Sequence, residues 1–95
     1  MSIYIVGQLK FIDEPSYRAY QSRFAAVFDQ FEGQLLSADE NPLVLEGNWS
    51  GDKIILMAFE NRVKAEAFLH SPEYAEISKD RKAGAETLAL LVQGL

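Results

Sequence analysis

The chain has no cysteine. That absence excludes disulfides, thiolate catalysis and cysteine-ligated zinc or iron–sulfur centres. It is compatible with a reducing cytoplasm, the expected location. Histidine occurs once, as His70, which argues against a multi-histidine metal site. No apolar run approaches the ~20 residues of a bilayer span. No basic segment precedes the first apolar stretch, so neither a membrane span nor a secretory signal is expected. Positive charge is scarce: 9 Lys and Arg stand against 14 Asp and Glu, for a net charge of −5. The basic residues are scattered, and their densest group (Lys79, Arg81, Lys82) contains Asp80. A nucleic-acid binder needs a basic face. Nucleic acid and anionic membrane are therefore poor partners for this chain.

What is present reads as one globular domain, residues 1–95, with 48% hydrophobic residues. A chain this short buries only about 60–65% of its unfolded surface, so further burial by self-association is expected. Residues 2–10 alternate as a strand, with Ile3, Ile5 and Leu9 opposite Tyr4 and Val6. Asp13 caps a helix with Glu14 and Pro15 in its first turn. The apolar stripe Tyr17, Tyr20, Phe24, Val27, Phe28, Phe31 follows, and Gly33 is read as the stop. That aromatic stripe is assigned to the core. Residues 34–47 read as a strand broken near Asp39–Pro42, because proline cannot donate to a central ladder. Residues 48–52 form a turn, and 53–60 a strand apolar on both faces. Asn61 caps a helix to about Leu69. Ser71 caps another, with Pro72 at its first position, ending near Gly84. Residues 86–93 form the last strand.

The order β-α-β-β-α-(α)-β in so short a chain predicts an α+β, ferredoxin-like fold: a four-stranded antiparallel sheet with helices on one face. The other face would carry Ile54 or Ile55, Leu56 or Met57, and apolar residues of the last strand. A bare apolar face of that size marks an interface. A second copy related by a two-fold axis is the simplest cover, so a homodimer through the sheet faces is expected.

Two blocks carry a more specific signal: Leu45-Glu46-Gly47-Asn48-Trp49, and Ser71-Pro72-Glu73-Tyr74 followed by Arg81. With the opening Ile3-Tyr4-Ile5-Val6, the pair Tyr17/Tyr20, Gly33 and Phe59, they make the chain resemble, almost end to end, the domain-of-unknown-function 1330 family of the dimeric α+β barrel superfamily. The stretch Glu32-Gly33-Gln34-Leu35 departs from that family's usual second glycine and aromatic, so a local difference is expected where the second strand begins. The resemblance implies a ferredoxin-like subunit, a dimer and a pocket between sheet and helices. It implies no activity, since related families include cofactor-independent monooxygenases, haem-degrading enzymes, isomerases and ligand-sensing domains.

Six residues are candidates for chemistry. His70 sits between two helices and could move a proton near neutral pH. It could equally face solvent or the negative end of the preceding helix dipole. Glu46, if buried, would become a better base. It could instead pair with Arg81 or accept from turn backbone. Arg81 lies two turns after Tyr74 and could hold a carboxylate or enolate. Against that, cations are favoured in a last helical turn in any case. Trp49 could wall a pocket, or seal an interface. Tyr17 and Tyr74 could lend hydroxyls, and Tyr20 shares their stripe. Ser71 is a cap rather than a nucleophile, and Gly47 and Gly51 make no phosphate loop. The expected site is thus a small-molecule pocket near Glu46, Trp49, His70, Tyr74 and Arg81 that needs no cofactor. Haem ligation by His70 is a weaker option. The competing reading is a non-catalytic dimeric binding or stress-related interaction module.

Overall fold

The computed structural model describes residues 2–95. Strict alternation gives β1 (Ile3–Phe11), whose buried Ile3, Ile5, Gly7 and Leu9 share one face. Then come α1 (Glu14–Phe28), β2 (Gly33–Asp39), β3 (Lys53–Phe59), α2 (Arg62–Leu69), α3 (Pro72–Gly84) and β4 (Ala85–Gln93). All pairings are antiparallel, and the sheet order is β2-β3-β1-β4. This is the ferredoxin-like arrangement, with α2 as its additional helix.

Two caps form as expected. The Asn61 side chain accepts from the Lys64 N–H at 3.0 Å, and the Ser71 hydroxyl accepts from the Tyr74 N–H at 3.1 Å. The turn between α2 and α3 is short because one helix stops at His70 and the next starts at Ser71. Gly84 ties α3 to the start of α1. Its carbonyl accepts from Ile12 N–H at 2.9 Å and Asp13 N–H at 3.1 Å. A Cβ at Gly84 would sit 2.8 Å from the Tyr17 Cα and closer still to its N. No side chain fits there, and the contact fixes Tyr17 and Arg81 near one another in the fold.

Several boundaries differ from the sequence reading. α1 stops at Phe28, with Asp29 as its C-cap in right-handed geometry. Phe31 therefore packs from a turn. Gly33 is not a helix stop but the first residue of β2, where a Cβ would strike the rings of Phe59 (2.5 Å) and Phe28 (2.8 Å). The Asp13 carboxylate takes the Ser16 hydroxyl at 2.7 Å and caps no backbone N–H. β2 ends at Asp39, and residues 43–47 are not strand. The left-handed residue of this loop is Gly47, at φ 86°. Between Leu35 and Ser37 the register shifts, a bulge that adds one residue to the edge strand.

The sheet has two unlike faces. Towards the helices point Ile3, Ile5, Leu9, Met57 and Phe59, all in the core cluster. The register puts Tyr4, Val6 and Gln8 beside Ala58, Leu56 and Ile54 on one flank and Val92, Leu90 and Leu88 on the other. This second face has no helix over it. Leu88 is 53% exposed and Leu90 51%. On the β2–β3 loop, Leu43 and Leu45 are 83% and 89% exposed.

Candidate functional site

The helix layer and the sheet do not fill the space between them. A cavity of about 320 Å³ remains, with a largely apolar lining. Its floor is the helix-facing surface of the sheet: Ile5, Gly7 and Leu9 from β1, Ile55 and Met57 from β3. Its roof is Tyr17, Tyr20 and Phe24 from α1, with Tyr74 and Arg81 from α3. The cause is side-chain volume. Gly7 sits mid-floor between Ile55 and Ala89, its partners on the two flanking strands. A Cβ at Gly7 would meet only the Ile55 Cβ, at an ordinary 3.6 Å. Glycine is thus not demanded by the backbone at this position; it leaves room. Ala38 and Ala89 keep the outer strands low as well.

The polar groups of the lining converge from the roof and one wall. The hydroxyls of Tyr20 and Tyr74 are 3.0 Å apart and buried. Burial, reinforced by the neighbouring Tyr74, pushes the Tyr20 phenol well above its ordinary value. Burial also pushes Tyr17 up to about 12, with the Glu40 carboxylate adding to the effect. Both phenols are therefore protonated donors across the physiological range. Lys53 is the most unusual member, with a side chain only 3% exposed. Its Nζ lies 3.5 Å from a Glu40 oxygen and 5.0 Å from the centre of the Tyr17 ring. Burial lowers the pKa of this amine, and Glu40 partly restores it. Glu40 is gripped in turn by Arg18, whose two terminal nitrogens reach its two oxygens at 2.6 and 2.7 Å. Those bonds hold the Glu40 carboxyl down at about 2.

Arg81 lines the same cavity from the far side of the roof. Its Nε is buried with no acceptor. None of the ion pairs among the described residues includes it. The alternative of a Glu46–Arg81 pair is thereby corrected: the β2–β3 loop holds Glu46 out in solvent instead.

The structure brings together Tyr17, Tyr74 and Arg81, and leaves the other candidates outside. Glu46 is exposed just before the left-handed Gly47. His70 is exposed at the α2 C-cap, where its backbone N–H bonds to the Glu66 carbonyl. The helix break turns it outward, so the solvent-facing reading describes it. Glu46 and His70 therefore do not share a cavity. Trp49 is half-buried in a separate shallow groove with Gln8, Lys10, Gly51 and Leu88, at the end of the open sheet face. A Cβ on Gly51 would strike its ring. Among the described residues, no group of three or more His, Cys, Asp or Glu is placed to hold a metal ion.

Sequence reasoning passed over Lys53 and Glu40, and kept Tyr20 only as part of a stripe. The signal for Lys53 was present. It shares strand parity with Ile55, Met57 and Phe59, the helix-facing set. A lysine in phase with three core residues must be buried or end the strand, and here it does both.

The model of the family described as Domain of unknown function (DUF1330) matches residues 2–95. No curated protein is significantly similar in sequence. Solved structures share the fold at low identity. The RPA0582 protein of unknown function from Rhodopseudomonas palustris matches with a TM-score of 0.82 at 17% identity, over 99% of this chain and 82% of that one. SnoaB, a cofactor-independent oxygenase from Streptomyces nogalater, matches at 0.73 and 14%, over 99% and 93%. A dimeric protein of unknown function with a ferredoxin-like fold from Bacteroides fragilis matches at 0.60 and 10%, over 98% and 96%.

Proposed function

We propose that this chain, which belongs to the DUF1330 family, acts as a homodimer in which each protomer binds a small, largely apolar organic molecule between its sheet and its helices. The observation that carries the reading is the cavity itself. A core that elsewhere packs ring against ring is hollow where Gly7, Ala38 and Ala89 floor it. Two phenol hydroxyls, an amine and a guanidinium line the hollow together. Apolar walls with a few fixed polar groups are the usual make-up of a ligand site, and ~300 Å³ is the small end of the range.

The dimer rests on the open sheet face, with Leu88, Leu90 and Val92 exposed together. The fold likeness to a dimeric Bacteroides fragilis protein supports it. Leu90→Glu should convert the dimer to monomer in sedimentation velocity; an unchanged sedimentation coefficient would remove this part of the reading.

A second reading, catalysis without a cofactor, has one observation in its favour. Lys53 is a cavity-wall amine whose pKa burial depresses, as a general base requires. The fold likeness to a cofactor-independent oxygenase points the same way. The two readings separate at Lys53→Met. Loss of turnover with retained ligand affinity supports catalysis, and unchanged turnover of any converted ligand defeats it.

The site reading is tested with Gly7→Val, which puts a side chain into the floor. Binding of small aromatic compounds, followed by titration calorimetry, should vanish while the fold persists.

A further inference from the structure

We infer that the ligand of this cavity is an amphipathic anion: a flat apolar body bearing one planar oxyanion, carboxylate or enolate, seated against Arg81 and the Tyr20–Tyr74 pair. The inference rests on the proposed ligand site and adds the chemical class that the site selects.

The first argument is charge. The protein as a whole carries −5. Yet the basic residues that line the cavity are Lys53 and Arg81, and no carboxylate lines it. Glu40 stands behind Lys53, but its charge is shared with Arg18, which grips it with two bonds. Arg18 also pairs with Glu14, so with Lys53 protonated the cluster of Glu14, Arg18, Glu40 and Lys53 is balanced, and Arg81 supplies a positive charge that none of the ion pairs among the described residues offsets. A hollow with this sign in an acidic protein favours an anion, and its apolar walls strengthen the attraction by excluding water.

The second argument is hydrogen-bond polarity. Arg81 has only donors, and its buried Nε–H lacks an acceptor. A buried donor left unpaired is costly, so an occupant that accepts from it gains affinity. The Tyr20–Tyr74 contact uses one hydroxyl proton and leaves the second to be donated. Gln21 could have supplied an acceptor from the rim, but its Oε1 already takes Arg18 at 2.6 Å. The polar equipment is thus donor-rich and acceptor-poor. A neutral amine or alcohol finds little there to receive its proton. A planar oxyanion can take the guanidinium edge and a phenol together.

The third argument is shape. Gly7, Ala38 and Ala89 are low, and Ile5, Ile55 and Met57 supply apolar contact. The floor is a pleated sheet surface and the roof carries aromatic rings, so a flat body fits between them.

The test uses four probes with the same bicyclic body: naphthalene carboxylate, hydroxynaphthoquinone ionised as its enolate, and the neutral naphthalene carboxamide and naphthoquinone. Each is titrated calorimetrically into the native protein, Arg81→Met and Gly7→Val. In the native protein the anions should bind about tenfold or more tighter than their neutral partners, the gain expected of charge-assisted hydrogen bonds. Which anion binds better identifies the oxyanion as carboxylate or enolate. Arg81→Met should bring each anion within about threefold of its neutral partner, and Gly7→Val should abolish binding of all four. If native protein binds the neutral probes as tightly as the anions while Gly7→Val abolishes both, the anion inference is overturned and the ligand site stands. If Gly7→Val binds every probe like the native protein, or no probe binds the native protein, the site fails and the inference with it. The anion-to-neutral ratio in native protein needs no variant, so misfolding of Arg81→Met would leave the test intact.

Discussion

At one end of α1 the aromatic side chains pack on each other around a single ring; at the other they still touch one another but also border a hollow. At the first end Phe68, fully buried, is the hub. Phe28 stands edge-on to it at 5.1 Å, Phe31 at 5.6 Å, and Phe59 is stacked at 5.8 Å. These rings carry no polar atom and leave no room. At the second end the stripe changes from phenylalanine to tyrosine, the sheet beneath changes to Gly7 and Ala89, and hydroxyls, an amine and a guanidinium surround a hollow. Phe24 stands at the boundary, stacked on Phe28 at 5.0 Å and lining the cavity with its other side. The difference teaches that the phenol, amine and guanidinium groups gather where volume has been withheld, while the buried serines Ser71 and Ser78 belong to α3 and its cap, outside the cavity lining.

The largest effect expected lies at the solid end. Phe68→Ala should cost about 3–5 kcal/mol, the usual loss for a buried phenylalanine. Chemical denaturation measures it. A loss under about 1 kcal/mol would mean that this end is as hollow as the other, and the comparison would collapse. Smaller effects belong to the hollow end. Tyr20→Phe removes one hydroxyl of the buried pair and leaves the other without its partner, so a loss of about 1–2 kcal/mol is expected. Gly7→Val should be close to neutral, within about 1 kcal/mol. The lost glycine entropy cost offsets local crowding, and the cavity receives the new methyls. A large destabilisation by Gly7→Val would show that the floor is packed.

Titration sharpens the same contrast. The Tyr17 and Tyr20 phenols have raised folded-state pKa values, so the stability they contribute is complete below about pH 10.0, the ordinary phenol value, and is lost as pH rises through about 12 for Tyr17. Phenolate absorbance should therefore develop late for Tyr17 and Tyr20, and Tyr20→Phe should remove part of the late phase. Glu40 behaves oppositely. Its folded value is depressed, so its contribution is present above about pH 4.5 and lost as pH falls towards about 2. That effect should be small and salt-sensitive, because the Arg18–Glu40 pair is more than a third exposed.

Much of the fold was legible because its cues are local. Strand parity in Ile3–Leu9, the capping residues Asn61 and Ser71, and Pro72 each act within a few residues. The helix end at Phe28 was not legible. Phe31 continues the apolar spacing, and only its packing against Phe68 from a turn shows otherwise. The site was half legible. Tyr74 and Arg81 share a helix face, and Tyr17 lies in the core stripe, so helical period alone aligned them. Glu46 and His70 stayed open between inward and outward readings, because their directions depend on a loop path and a helix break, which no periodicity reports. Lys53 and Gly7 acquire their meaning only from the neighbouring strands.

The most direct measurement is the methyl spectrum of the protein with naphthalene carboxylate added. The account predicts shifts of the Ile5, Ile55 and Met57 methyls on the cavity floor, with Val27 at the solid end unmoved. Shifts confined to Leu88, Leu90 and Val92 on the open sheet face, with the floor methyls unchanged, would contradict it.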